Sequence, residues 1–353
     1  QKVNSQVCNS VFDSFNRLPD EDIDLLVLGE FRLFYIMSMM ELLKTHTVHT
    51  IVLPYIMPER RRMLTHTMPF PKSVMQFLHD PYSTLMQMGV ENIHFVYGNG
   101  GDITEDINEI PDGTYFEKAD ENILEMIKCA EGKYIPVEKA GYMVKNGWMF
   151  YFGAYGLDME KNQRLIRSVH QGKAIPLIQA TIVMFAGPVW DSPQLVDSSF
   201  TEKTFSKVLK CMPGKKNDNH VCDMRCMRFQ DHSVMKRHTD RERGISCFGV
   251  LLLGNLSLRV YMEDFAKRFH FIRNRVRVVT IPDGASSGRW NSRILSMFTG
   301  ADYRFWLVSM NRSSSGEVLK EIMENSSYNR LVNVNEEFGS CFSGYLVDRN
   351  EYF

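Results

Sequence analysis

Three features of the sequence predict an α/β fold. Short aliphatic runs recur, and each stops at glycine or proline: residues 24–28 (DLLVL) before Gly29, 48–55 (VHTIVLPY) with Pro54 and Pro58, and 93–97 (IHFVY) before GNGGD. Segments with apolar residues at helical spacing lie between such runs, 34–44 first among them. The same strand–loop–helix alternation opens and closes the chain. A run that is apolar throughout suits a strand covered on both faces, and its alternation with helices is the grammar of α/β architecture.

Taken in order, the first unit is strand 24–28, helix 34–44 and strand 48–55. Pro58 then opens a helix in PERRRMLTHTM, because the first helical position needs no N–H from its residue. Strand 93–97 follows. In the middle, 148–154 (WMFYFGA) and 175–183 read as strands around a helix at 159–170. Residues 191–223, with clusters of Ser, Lys, Pro and Asn, read as long loops. The pattern sharpens again with strand 248–253 (FGVLLL) ending at Gly254-Asn255, and helix 261–271. Strand 275–281 (RVRVVTI) ends at Pro282-Asp283-Gly284; helix 291–298, strand 304–309 and helix 316–325 complete the series.

Composition limits the function classes. The chain has 353 residues, 44% hydrophobic and 24% charged, which excludes a disordered tail or a collagen-like fibre. Lys and Arg number 41 against 42 Asp and Glu, for a net charge of -1. Such a chain has no global attraction to nucleic acid or to anionic membrane, so binding to either needs a local patch. The apolar run 34–40 is interrupted by Ser38 and closed by Glu41, far short of a membrane span, and no membrane partner is expected. The opening QKVNSQVCNS shows neither a basic region nor an apolar stretch of a signal peptide. With seven cysteines, an odd number in a large chain, reduced thiols in a cytoplasmic protein are expected. No internal repeat stands out, and no linker divides the chain.

Several local groups have both a chemical and a plain reading. The loop Gly98-Asn99-Gly100-Gly101-Asp102 lacks the Lys-Ser/Thr or spaced glycines of a phosphate cradle, and reads as a turn. His46 and His49 lack nearby third and fourth metal partners, and read as polar residues at a helix end. Cys211, His220, Cys222, Cys226, His232 and His238 are the densest set of soft ligands; a zinc knuckle can be drawn from them, but their spacing matches no standard finger. The basic stretch with Arg273, Arg275 and Arg277 is either a face for an acidic partner or nucleic acid, or a strand edge protected by charge. The aromatic run from Trp148 to Phe152 is a core or interface anchor.

Four segments in one order resemble the metallo-β-lactamase-fold family of bacterial proteins. Residues 22–35 (DIDLLVLGEFRLFY) with VHTIVLPY-x3-ER resemble its opening, where a strand runs into Ser/Thr-His-x-His/Asp-x-Asp-His. VLLLGNLSL (250–258) resembles the strand ending Gly-Asp, VVTIPDGASSGRW (278–290) the strand ending Pro-His-His-Gly-Ser, and 307–323 the closing segment. The resemblance covers about 22–100 and 230–350. It implies a single αββα sandwich with halves at 22–100 and 231–353 and a long insertion or irregular middle, 101–230, between them.

The same resemblance implies that the metal site has been lost. Its ligand positions fall on Glu30, Arg32, Phe34 and Tyr35, its bridging Asp on Asn255, and its last histidines on Asp283 and Gly284. A guanidinium at Arg32 puts a permanent positive charge where a cation should sit, and the rings of Phe34 and Tyr35 fill the cavity with carbon. The expectation is a vestigial cleft lined by these seven residues, without cofactor, in a pseudo-enzyme that acts through a protein partner. Metal-stripped members of the superfamily serve as inactive halves of nuclease heterodimers. Relatives of this flavour imply a setting in antiviral defence or DNA/RNA handling. The alternative is an active metal-dependent hydrolase or nuclease with ligands drawn from Glu30, Asp283, His94 or the Cys/His group.

Overall fold

The computed structural model describes residues 22–31, 33–67, 71–97, 113–145, 148–156, 181–188, 249–272, 275–282, 285–298, 304–308, 315–326 and 329–333. The first wing runs β1 (Ile23–Val27), α1 (Leu33–Thr45), β2 (Val48–Pro54), α2 (Pro58–Thr67), α3 (Lys72–His79), α4 (Pro81–Gln87) and β3 (Asn92–Val96). The centre follows with β4 (Gly113–Lys118), α5 (Glu121–Glu131), β5 (Val137–Lys145), β6 (Trp148–Tyr155) and β7 (Thr181–Pro188). The second wing is β8 (Gly249–Leu252), α6 (Leu258–Arg268), β9 (Val276–Thr280), α7 (Arg293–Met297), β10 (Arg304–Val308), α8 (Gly316–Asn325) and β11 (Asn329–Asn333).

All of these strands join one mixed sheet in the order β1-β2-β3-β5-β6-β7-β8-β9-β10-β11, with β4 held on β5. The wings are parallel: β1, β2, β3 and β5 on one side, β8 to β11 on the other, while β4 runs antiparallel to β5. The centre is antiparallel, β5 against β6, β6 against β7, β7 against β8. The α/β class is therefore as the sequence predicts. The described part of the middle, 113–145, 148–156 and 181–188, forms the strands that reverse direction and join the wings.

The sequence dictates this locally. In β2 the run Ile51-Val52-Leu53 is wholly buried, as a parallel strand covered on both faces requires. Asp80 accepts from the Ser83 N–H at 3.1 Å, with Pro81 in the first turn of α4. Gly132, at φ +70°, ends α5 in the left-handed conformation.

The two cores meet at the centre. Around the first wing, Ile51, Val52, Leu53, Phe95 and Val96 pack with Ile36, Met39 and Leu43 of α1. Around the second, Leu251, Val276, Val279 and Trp306 pack with Met262, Phe265 and Ile322. Strands β6 and β7 serve both by their two-residue alternation. Phe152, Ala154 and Ile182 enter the first core, and Met149, Tyr151, Tyr155, Val183 and Phe185 enter the second. The sheet also curls back on itself. The Ile182 N–H donates to the Gly29 carbonyl at 2.9 Å, although β2, β3, β5 and β6 stand between β1 and β7 in the sheet. Curvature of the sheet across those intervening strands brings the end of β1 to the start of β7.

Candidate functional site

The returning sheet brings together two loops that start from strand ends. Glu30 follows β1 and precedes α1 by three residues; Asn255 follows β8 and precedes α6 by three. Asn255 Nδ2 donates to Glu30 Oε2 at 3.1 Å across 225 residues of sequence. The Thr181 hydroxyl donates to Glu30 Oε1 at 3.4 Å and accepts from the Asn255 N–H at 3.2 Å. Arg289 Nη1 donates to the Asn255 carbonyl at 2.8 Å. Glu30 is 4% exposed, and these donors meet both of its carboxyl oxygens. Gly254 makes the approach possible. Its φ is +53°, and a Cβ there would stand 2.4 Å from Thr181 Oγ1.

Chemically this is one carboxylate, one amide, one hydroxyl and the tip of one guanidinium. The amide presents its N–H end to the carboxylate, which is the pairing of a structural joint. It does not suit a divalent cation, which would need both oxygens turned to the same point. Among the described residues, no three His, Cys, Asp or Glu side chains come together to hold a metal.

The remaining cleft positions do not all join this pair. Tyr35 lies in the first turn of α1 and is 45% exposed, so its ring does not fill a cavity. The reason is helical phase: Ile36, Met39 and Met40 take the buried face. Arg32, Asp283, Gly284 and the side chain of Phe34 lie outside the described residues. So do Arg273, Cys211, His220, Cys222, Cys226, His232 and His238, the Gly98–Asp102 loop and the helix expected at 159–170.

Of the expected partner face, Arg277 is 7% exposed. Strand β9 lies between β8 and β10, so it is an interior strand and offers no charged edge. Arg275, just before β9, is half-buried, and Trp148 is half-buried at the start of β6. His49 faces carboxylates of Asp22 at 3.7 Å and Glu91 at 3.2 Å, and His46 Nδ1 meets Thr45 Oγ1 at 2.8 Å. Both act as polar residues at strand and helix ends.

Polar groups that the sequence reading did not single out also shape the region. Arg61, 1% exposed, pairs with Glu131 at 2.5 Å, and the Tyr55 hydroxyl donates to the same oxygen at 2.9 Å. Burial, reinforced by the Glu131 charge and hydrogen bond, pushes the Tyr55 hydroxyl far above its ordinary range. Arg60, 3% exposed, reaches the Gly156 carbonyl at 3.4 Å, and burial lowers its pKa to about 10. In sequence these arginines are part of PERRRM and look like a solvated helix face. Thr181 carries no sequence signal at all, because its role arises only when β7 meets β1. His94, by contrast, is a ligand candidate from the sequence: its Nδ1 lies 2.9 Å from Glu138 Oε2, and its ring stacks on Phe116 with centroids 4.2 Å apart.

No protein-family model matches the sequence, and a search of curated proteins returns no match. The functional reading rests on the chain itself.

Proposed function

We propose that the chain is a degenerate protein of the metallo-β-lactamase type, an αββα sandwich in its finer classification, whose metal site has become a structural joint. It acts as a protein-interaction or scaffold subunit in the cytoplasm, in a complex that handles DNA or RNA, as in bacterial defence. The observation that carries this reading is the hydrogen bond between Glu30 and Asn255. The resemblance assigns both residues to one cleft, and here the carboxylate accepts hydrogen bonds from Asn255 and Thr181. A carboxylate so engaged is a poor ligand, and without a Lewis acid at that point no hydroxide forms near neutral pH. Arg275 and Trp148 remain as the partner-facing candidates.

A second reading has one observation in its favour. His94, held through Nδ1 by Glu138, turns its other nitrogen away from the carboxylate, as a metal-binding or proton-transferring imidazole would. This is the alternative of a metal-dependent hydrolase or nuclease with a relocated site. One experiment separates the two. Metal content of the purified chain is measured, and cleavage of single- and double-stranded DNA and RNA is assayed with zinc, manganese or magnesium. The scaffold reading expects no stoichiometric metal and no cleavage. Metal-dependent cleavage that disappears in His94→Ala establishes the hydrolase instead.

A further inference from the structure

Helix α6 turns one face toward the last residue of β6. Tyr261, Asp264 and Arg268 stand on that face at spacings of three and four residues. The Tyr261 ring lies 5.4 Å from that of Tyr155, centroid to centroid, and the Arg268 guanidinium carbon lies over the Tyr155 ring, 5.5 Å from its centroid. Arg268 Nη2 donates to Asp264 Oδ1 at 2.7 Å. Tyr155 is 1% exposed and Arg268 4%. Within this group three polar atoms, the Tyr155 hydroxyl oxygen, Arg268 Nη1 and Asp264 Oδ2, are buried and meet no protein hydrogen-bond partner among the described residues. Buried polar atoms almost always have partners. Three exceptions on touching side chains share one explanation.

We propose that Tyr155, Asp264 and Arg268 form a binding site for a single hydroxyl group. The charges decide the class of occupant. Arg268 and Asp264 neutralise each other, so neither an anion nor a cation gains from entering. A carboxylate or phosphate oxygen can only accept and would face Asp264; an ammonium can only donate and would face Arg268. A hydroxyl has one hydrogen and two lone pairs. It donates to Asp264 Oδ2 and accepts from Arg268 Nη1 and from the Tyr155 hydroxyl, which satisfies all three atoms at once. Asp264 is the member of the group nearest solvent, its side chain 35% exposed. The site adjoins the joint between the wings, because Tyr155 is the sheet partner of Thr181. It does not depend on the scaffold reading of that joint.

The hydroxyl has two sources, an ordered water or an alcohol group of a sugar-like ligand. A high-resolution crystal structure of the full chain tests for the occupant, and saturation-transfer NMR with D-ribose tests for the ligand. The site predicts one density peak within hydrogen-bonding distance of all three atoms. It also predicts that Tyr155→Phe lowers the melting temperature, because a bonded hydroxyl is lost. A peak without a ribose signal identifies water, and a ribose signal that Tyr155→Phe abolishes identifies a sugar hydroxyl. Absence of density at that point, or a melting temperature raised by Tyr155→Phe, overturns the proposal. A rise would mean that the hydroxyl is only a buried cost.

Discussion

At Glu30 a single proton separates a joint from a repulsion. The carboxylate is held by Asn255 and Thr181, so replacing the amide with a second carboxylate changes the sign of the contact. Asn255→Asp should destabilise the protein by about 1–3 kcal/mol near neutral pH. One of the two buried carboxyls then has a raised pKa in the folded state, so the lost stability is regained as pH falls and both need not ionise. Chemical denaturation at pH 7 and pH 5 measures this, and a pH-independent loss would mean that the two side chains do not face each other. Asp80 behaves oppositely. Burial alone would raise its pKa, but hydrogen bonds from Lys133 Nζ, at 2.5 Å, and from the Ser83 N–H and hydroxyl outweigh it and hold it below the ordinary 3.8. Its contribution is therefore complete above that value and lost as pH falls through the depressed one. Asp80→Ala should cost about 1 kcal/mol at pH 7, the usual worth of a helix cap, and much less under strongly acid conditions.

The elements show why some of the fold was legible in sequence and some was not. Helix α8 and strand β10 announce themselves, because apolar period is a local property; the first observed strands lie within a residue or two of their expected bounds. Strands β4 and β5 and helix α5 were not legible. Their residues, such as GTYFEK and VEKAGYMVK, are half polar, and β4 exists only because β5 offers it an edge. Gly29-Glu30 and Gly254-Asn255 occupy the same place after the first strand of each wing, yet little else in the two stretches is identical. Of the candidate cleft, Glu30 and Asn255 were legible as strand-end residues, whereas Thr181 was not, since its strand is reached through curvature alone. Two glycines carry tests at this scale. Gly254→Ala should cost about 2 kcal/mol or more, from its positive φ and from crowding against Thr181. Gly141→Ala should loosen β4, because a Cβ at Gly141 would stand 2.4 Å from the Tyr115 carbonyl. Faster amide exchange confined to 113–118 is the expected signature, and unchanged exchange there would contradict the close approach.

At the scale of the molecule, the question is whether two cores mean two units. Parallel wings of this kind could fold separately if the strands between them belonged to one side. They do not. Phe152 and Ala154 face the first core while Tyr151 and Tyr155, their neighbours in β6, face the second. Strand β7 divides in the same way between Ile182 and Val183. Neither core can lose these strands without losing a wall, and the Gly29–Ile182 and Glu30–Asn255 bonds tie the far edge of the sheet to the centre. The chain should therefore unfold in one cooperative transition. In a variant with Trp148 and Trp190 replaced by Phe, Trp290 and Trp306, in edge-to-face contact at 6.1 Å, report the second wing by fluorescence, and amide exchange in β2 reports the first. Phe185→Ala removes a fully buried ring from the second core only. It should cost about 3–5 kcal/mol and lower the protection of β2 by the same amount, although no atom of Phe185 belongs to the first core. If the tryptophans instead report an earlier transition while β2 keeps its protection, the wings are independent folding units, and the central strands are a linker and not a shared wall.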